Sequence, residues 1–145
     1  MELSETIRIA VSPTKVFELV DDPARYHEFF VGVTRWEPRS KKLRGVGAKF
    51  RVLMQVGSIQ AGGTVKVIER TRPKLIRWES EQGIHQAGCW RLEKVDDGTD
   101  LTLDIEFDLS GGPLGALVAR LAGRIVARNM WATLMAARRI VENED

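Results

Sequence analysis

His85 and Cys89 are the residues of this chain whose types most readily suggest chemistry. They are an imidazole and the single thiol, four positions apart in GIHQAGCWRLEKVDDGTDLTLDIEF, residues 83–107. A thiolate beside an imidazole base is a nucleophile pair, and the same two groups are metal ligands. Both chemistries need close approach. Along a β-strand, four residues separate side chains by roughly 13 Å at about 3.3 Å per residue, whereas each ligand of a zinc ion sits only about 2.0–2.3 Å from it. Neither a nucleophile pair nor a metal site is expected here. The other histidine, His27, stands in DDPARYHEFF at what reads as a polar surface position. The glycine motifs are also poor candidates. RGVGAKF lacks the spacing and the Lys-Ser/Thr end of a P-loop, and LSGGPLG reads as a turn before a proline-started helix more readily than as an anion site. No cofactor is expected.

Strand parity redirects attention to other residues. In 100–109, Leu101, Leu103, Ile105, Phe107 and Leu109 alternate with Thr102, Asp104, Glu106 and Asp108, so the odd positions face inward. DDGT joins this strand as a hairpin to 84–95, where Ile84, Gln86, Gly88, Trp90 and Leu92 then share the inward face. His85, Ala87, Cys89, Arg91 and Glu93 share the outward one. A bulge at Gly88 is the one local feature that would reverse this.

Inward polar residues then become the candidates for holding a ligand. Gln86 is one. Ser80 follows Ile76 and Trp78 on one face of its strand, and Asn129 and Thr133 lie one turn apart within the apolar band of the last helix. Phe50, Val52 and Met54 face inward from AKFRVLMQVGS, and Met54 can adapt to varied shapes. Trp78 and Trp90 offer flat surfaces for a ring system, and Phe107 lies on the same face. Tyr26, the only tyrosine, is expected near the mouth of the cavity and is the one phenol available to protonate or polarise a carbonyl. Each of these also has a purely structural reading, as gap filler or as a group bonded to backbone or trapped water. Trp36 and Trp131 are not placed by parity, although Trp131 falls toward the arginine side of its helix. Carboxylates occupy mainly outward positions or turns, so no catalytic residues are assigned.

The elements that position these residues follow from periodicity and turn chemistry. Residues 3–11 alternate as a half-buried strand. Ser12 and Pro13 start one short helix, and Asp22 and Pro23 start a second. Strands are predicted at 32–38, 48–58, 63–71, 74–80, 84–95 and 100–109, joined by RGVG, SIQAGG, RP, EQG and DDGT. From Pro113 to about residue 143, apolar residues recur at three- and four-residue steps: Val118, Leu121, Ala122, Ile125, Val126, Met130, Leu134, Ala137, Ile140 and Val141. Arg120, Arg124, Arg128 and Arg138 lie opposite. This amphipathic helix must bury its band, and the sheet is its only large partner. The expected class is α+β: about seven curled antiparallel strands around a long C-terminal helix, with two short helices after the first strand.

At 145 residues, 43% of them hydrophobic and 29% charged, the chain suits one domain over 1–145 with a sizeable core. No apolar run approaches the eighteen or so residues of a transmembrane helix. The N-terminal MELSETIRIAVSP carries charges where a signal peptide keeps its apolar stretch, and a lone cysteine excludes an internal disulfide framework. A cytoplasmic monomer or homodimer is the expectation. The net charge of +2 implies no nucleic-acid partner. Arg35, Arg39, Lys41, Lys42, Arg44, Lys49 and Arg51 nonetheless cluster within 35–51, opposed only by Glu37. That segment reads as a solvated loop with its flanking strands, or as the contact surface of a non-catalytic interaction module.

The order of elements resembles the START-like superfamily with its Bet v 1-type helix-grip fold, and within it the polyketide cyclase/dehydrase and lipid-transport group. The stretches that carry the resemblance are IRIAVSPTKVFELVDDPARYHEFF, IRWES, GCWRLEKVDDGTDLTLDIEF and the C-terminal helix, covering nearly the whole chain. DPARYHEFFVGVTRWE is also similar to the start of the coenzyme Q-binding branch. The resemblance implies a cavity between sheet and helix that binds a hydrophobic small molecule, lipid-, quinone- or polyketide-like. An aromatase/cyclase or dehydratase working in the same cavity is the alternative it implies.

Overall fold

The structure is a computed structural model that describes residues 1–108 and 115–144. Strand β1 (Glu2–Ile9) leads into helix α1 (Pro13–Val20) and a 3₁₀ helix (Pro23–Glu28). Six strands follow: β2 (Val33–Pro38), β3 (Lys49–Val56), β4 (Ile59–Thr71), β5 (Leu75–Gly83), β6 (Gln86–Val95) and β7 (Gly98–Phe107). Helix α2 spans Gly115–Asn143. The expected strand end at Leu109 and helix start at Pro113 lie outside the described residues.

All seven strands form one antiparallel sheet in the order β1-β7-β6-β5-β4-β3-β2. It is a meander closed on one side by β1. The register slips between Val33 and Arg35, between Thr64 and Val65, and between Val67 and Glu69. Such bulges bend and twist a sheet, and this one curls around α2 in the expected helix-grip arrangement. Both helix starts fall where expected. Ser12 accepts the first amides of α1 through its backbone carbonyl, with no side-chain cap, while the Asp22 carboxylate accepts from the Ala24 amide at 3.2 Å. The second helix is a short 3₁₀ helix of two turns. Asp21, buried at the end of α1, receives two hydrogen bonds from Arg70 of β4 at 2.9 and 2.7 Å, which pins the helix to the sheet.

Several details differ from the sequence expectation, among them the end of β5, which runs on to Gly83. SIQAGG is not a loop: the chain turns at Gly57, whose φ of +64° is the left-handed conformation glycine favours, and β4 begins at Ile59. Gly62 and Gly63 sit inside β4 because a Cβ on either would overlap a backbone carbonyl, that of Val52 or of Gln82. Strand β6 starts at Gln86, since Gly83 (φ +90°) turns the chain and Ile84 and His85 form the connection. On α2, Leu121 belongs to the solvent face, half exposed. It lies about 100° round the helix from Ala122, and Ala122, Val126, Met130, Thr133, Leu134, Ala137 and Val141 set the buried face. Trp131 is exposed on the arginine side.

Candidate functional site

Parity holds across the hairpin that carries His85 and Cys89. Gly88 pairs in regular register with Trp78 on one side and Ile105 on the other, without a bulge. A Cβ at Gly88 would overlap the Trp78 indole, so this glycine makes room for a ring that crosses β6. Gln86, Trp90 and Leu92 are accordingly buried on the concave face. His85 is exposed on the other face, 3.4 Å from Glu106. Cys89 also points to the convex side but is only 5% exposed, lying in register between Arg77 and Asp104. Burial pushes its thiol pKa up, against the opposing influence of Arg77. A raised pKa and a covered sulfur are the opposite of what a nucleophile needs.

The concave face is built around a cluster of aromatic rings. Tyr26, Phe29, Phe30, Trp36, Phe50, Trp78 and Trp90 pack with ring centroids 5.0–6.4 Å apart, several of them edge to face. Tyr26 stands inside this cluster, not at a mouth. Its hydroxyl donates to the Val20 carbonyl at 2.5 Å and accepts from Trp90 Nε1 at 3.2 Å. Burial lifts its phenol pKa well above the usual range, more than the Trp90 hydrogen bond lowers it. The residue is neutral, with its donor and one lone pair already committed.

Three narrow cavities run in series along the concave face of the sheet, two of them beneath α2 and the third beneath the end of α1 and the 3₁₀ segment. The largest, about 30 Å³, is lined by Phe30, Val33, Trp36, Met54, Ala61, Trp78, Gln86, Phe107 and Val126, among others. A second, about 20 Å³, continues past Phe30, Met54 and Val126 to Gly32 and Asn129. A third, about 10 Å³, lies behind Trp36 and Trp78, against Tyr26, Phe50, Asp21 and Arg44. Each wall between them is made of side chains that line both neighbours.

The candidate residues therefore divide by position. Met54, Trp78, Gln86 and Phe107 line the largest cavity, Asn129 the second, and Phe50 and Tyr26 the third. Val52 and Trp90 are fully buried in the core and line none of the three. Thr133 is fully buried too. Its hydroxyl accepts from the Val31 amide at 2.9 Å and donates to the Asn129 carbonyl at 2.7 Å, fastening α2 to the loop before β2. Ser80 accepts from the Gln86 amide at 3.1 Å and braces the β5–β6 connection.

Trp36, which parity alone does not place, lines two cavities. Its signal lies in its neighbours: Arg35 and Glu37 are charged and pair with each other at 3.2 Å, which leaves the ring between them to point inward. The bulge after Val33 shifts parity, so that Val33 and Trp36 both face the interior. The basic 35–51 segment is partly neutralised: Arg44 pairs with Asp22 at 3.3 Å and Lys49 with Glu81 at 3.2 Å, besides Arg35 with Glu37. Among the described residues, no helix is long and apolar enough to cross a membrane.

Comparison with known structures places this architecture in company. TTHA0849 from Thermus thermophilus superposes with a TM-score of 0.85 at 17% identity, covering 98% of this chain and 97% of that one. The Zhui aromatase/cyclase from Streptomyces sp. R1128 superposes at 0.78 with 18% identity, over 98% and 93%. A START superfamily protein from Mycobacterium smegmatis does so at 0.73 with 17% identity, over 96% and 98%. At these identities the likeness is one of fold. No curated protein matches the chain. The family model described as polyketide cyclase / dehydrase and lipid transport matches residues 1–142, and the chain belongs to that family.

Proposed function

We propose that the chain binds a hydrophobic small molecule, lipid-, quinone- or polyketide-like, in the space between the curled sheet and α2. The observation that carries this reading is the pair of apolar cavities beneath α2, which continue into a third behind Trp36 and Trp78, separated only by shared side chains. Ligand pockets usually run to about 300–1,000 Å³, so binding requires the partitions to swing aside and merge the cavities. Affinity would come from burial. A ligand hiding about 300 Å² of apolar surface gains roughly 7.5 kcal/mol at 25 cal/mol per Å², before the cost of opening is subtracted.

Catalysis of cyclisation or dehydration in the same space is the second reading, and the fold likeness to an aromatase/cyclase favours it. The titratable side chains on the three cavity walls are Asp21, Tyr26 and Arg44, all at the smallest cavity. Asp21 is held by Arg70 and Arg44 by Asp22, and the Tyr26 hydroxyl is hydrogen-bonded. Binding without turnover accounts for that lining more simply.

Native mass spectrometry of protein purified without denaturation is the direct test, paired with an Ala61→Leu variant. Ala61 lines the largest of the three cavities, and the leucine side chain should occupy it. Wild type should retain or take up a hydrophobic ligand from lipid and quinone panels, and Ala61→Leu should lose it while staying folded. A wild-type protein that stays empty across both panels would overturn the proposal.

A further inference from the structure

Trp36, which lines both the largest of the three cavities and the one behind it, carries an unmatched polar atom. Trp36 Nε1 is buried without a hydrogen-bond partner, the only buried side-chain nitrogen or oxygen in that state among the described residues. Buried polar groups are almost always satisfied, and an exception needs an explanation. The contrast with Trp90 is direct, because that indole donates to Tyr26. The Trp36 ring is also held in place. Tyr26 meets it edge-on at 5.0 Å, Phe30 stacks on it at 5.9 Å, and Trp78 crosses it at 88°. The donor thus has a fixed direction and no acceptor.

Resting on the reading of this space as a ligand site, we propose that the ligand carries a carbonyl oxygen on a flat apolar scaffold, and that Trp36 Nε1–H is the group that recognises it. An indole N–H can only donate, so whatever completes it must accept. Apart from the two indoles, Gln86 supplies the only polar side chain on the cavity wall. A hydroxyl would bring a further donor, with the Gln86 carbonyl as the only side-chain acceptor on that wall. A water molecule would bring two, and a buried water commonly makes about three hydrogen bonds. A carbonyl brings none and suits the Trp36 donor directly. The aromatic walls suit a planar ring system on either side of it.

Fluorenone and fluorene test this directly, since they share a flat tricyclic frame and differ at the carbonyl. Burial alone favours the hydrocarbon. The expected result is that the wild-type protein binds fluorenone about tenfold more tightly than fluorene, a difference of about 1.4 kcal/mol. In Trp36→Phe that preference should vanish, the ratio of the two affinities falling to about one or below whatever the change in absolute affinity. Should Trp36→Phe fail to fold, the indole N–H resonance of Trp36 in the wild type serves instead: it should move on adding fluorenone and stay in place with fluorene. Equal binding of both compounds with an unmoved indole resonance would overturn the carbonyl inference and leave the cavity reading standing. Binding of neither compound would overturn the inference of a flat carbonyl-bearing ligand, while the cavity reading is judged separately by the lipid and quinone panels.

Discussion

Replacing Tyr26 by phenylalanine separates a core phenol from a catalytic one. The substitution keeps the ring and its edge-on contacts with Phe29, Phe30 and Trp36 and removes only the hydroxyl. Two buried groups then lose their partner: the Val20 carbonyl, which accepts at 2.5 Å, and the Trp90 indole N–H, which donates at 3.2 Å. Leaving a buried donor or acceptor unsatisfied costs about 1–3 kcal/mol. With some local relaxation, the pair should cost about 2–4 kcal/mol, a large share of the 5–15 kcal/mol typical of a domain. At an unfolding entropy of about 2.1 cal/mol/K per residue, this corresponds to a fall in Tm of roughly 7–13 °C. Urea titration followed by circular dichroism should show a lower midpoint and an unchanged slope, because the surface exposed on unfolding is the same. A loss below about 0.5 kcal/mol would refute the assignment. A variant of full stability that binds ligand but fails to turn it over would show Tyr26 acting on the ligand instead.

Two further outcomes follow from the convex face. Cys89, buried and with its thiol pKa raised by that burial, should react with a disulfide reagent at neutral pH far more slowly than a free thiol, and at the ordinary rate once urea unfolds the chain; rapid labelling of the folded protein would contradict the structure. Burial raises the Asp104 pKa, but hydrogen bonds from Arg91 and Ser4 outweigh it and hold the carboxyl below the usual carboxylate range. A native pKa below the unfolded value of about 3.9 gives stability that is complete above that value and lost as pH falls through the depressed one. Asp104→Asn should therefore flatten the stability profile below about pH 5 and leave its shape near neutrality unchanged; a profile with the same acid limb as the wild type would show that the pair contributes nothing.

The fold was legible because its signals were redundant. In β7 every odd residue from Leu101 to Phe107 is apolar, DDGT marks the turn, and the register pairs Trp90 with Leu103 and Gln86 with Phe107, as parity required. Long alternation of this kind leaves no competing register. The site was less legible, because parity tells which face a residue occupies and not whether space or another side chain waits there. Trp90, Val52 and Thr133 all face inward, and all three end in dry packing. Ser80 and Thr133 have hydroxyls spent on backbone amides, a use that depends on how loops 84–85 and 29–32 return to the sheet. Trp36 escaped for a local reason: the bulge after Val33 resets the alternation of β2, and a one-residue slip moves every following side chain to the other face.

The partitions between the cavities differ in stiffness, and this ranks the ways a ligand could be admitted. Met54 and Val126 help separate the largest cavity from the one at Asn129. A methionine has three rotatable side-chain bonds and changes rotamer at little cost. At the other end, Trp36 and Trp78 cross at 88° with centroids 5.5 Å apart, and Gly88 is shaped around the Trp78 ring. Moving either indole breaks several aromatic contacts at about 0.5–1.5 kcal/mol each beyond their buried area. Opening on the Met54 side is therefore the less costly route. It would extend the largest cavity toward Gly32 and Asn129 while leaving the Trp36 ring seated against Tyr26, Phe30 and Trp78. A groove that yields at one end and holds a fixed donor at the other can accept scaffolds of different length while still selecting for the acceptor at their tip.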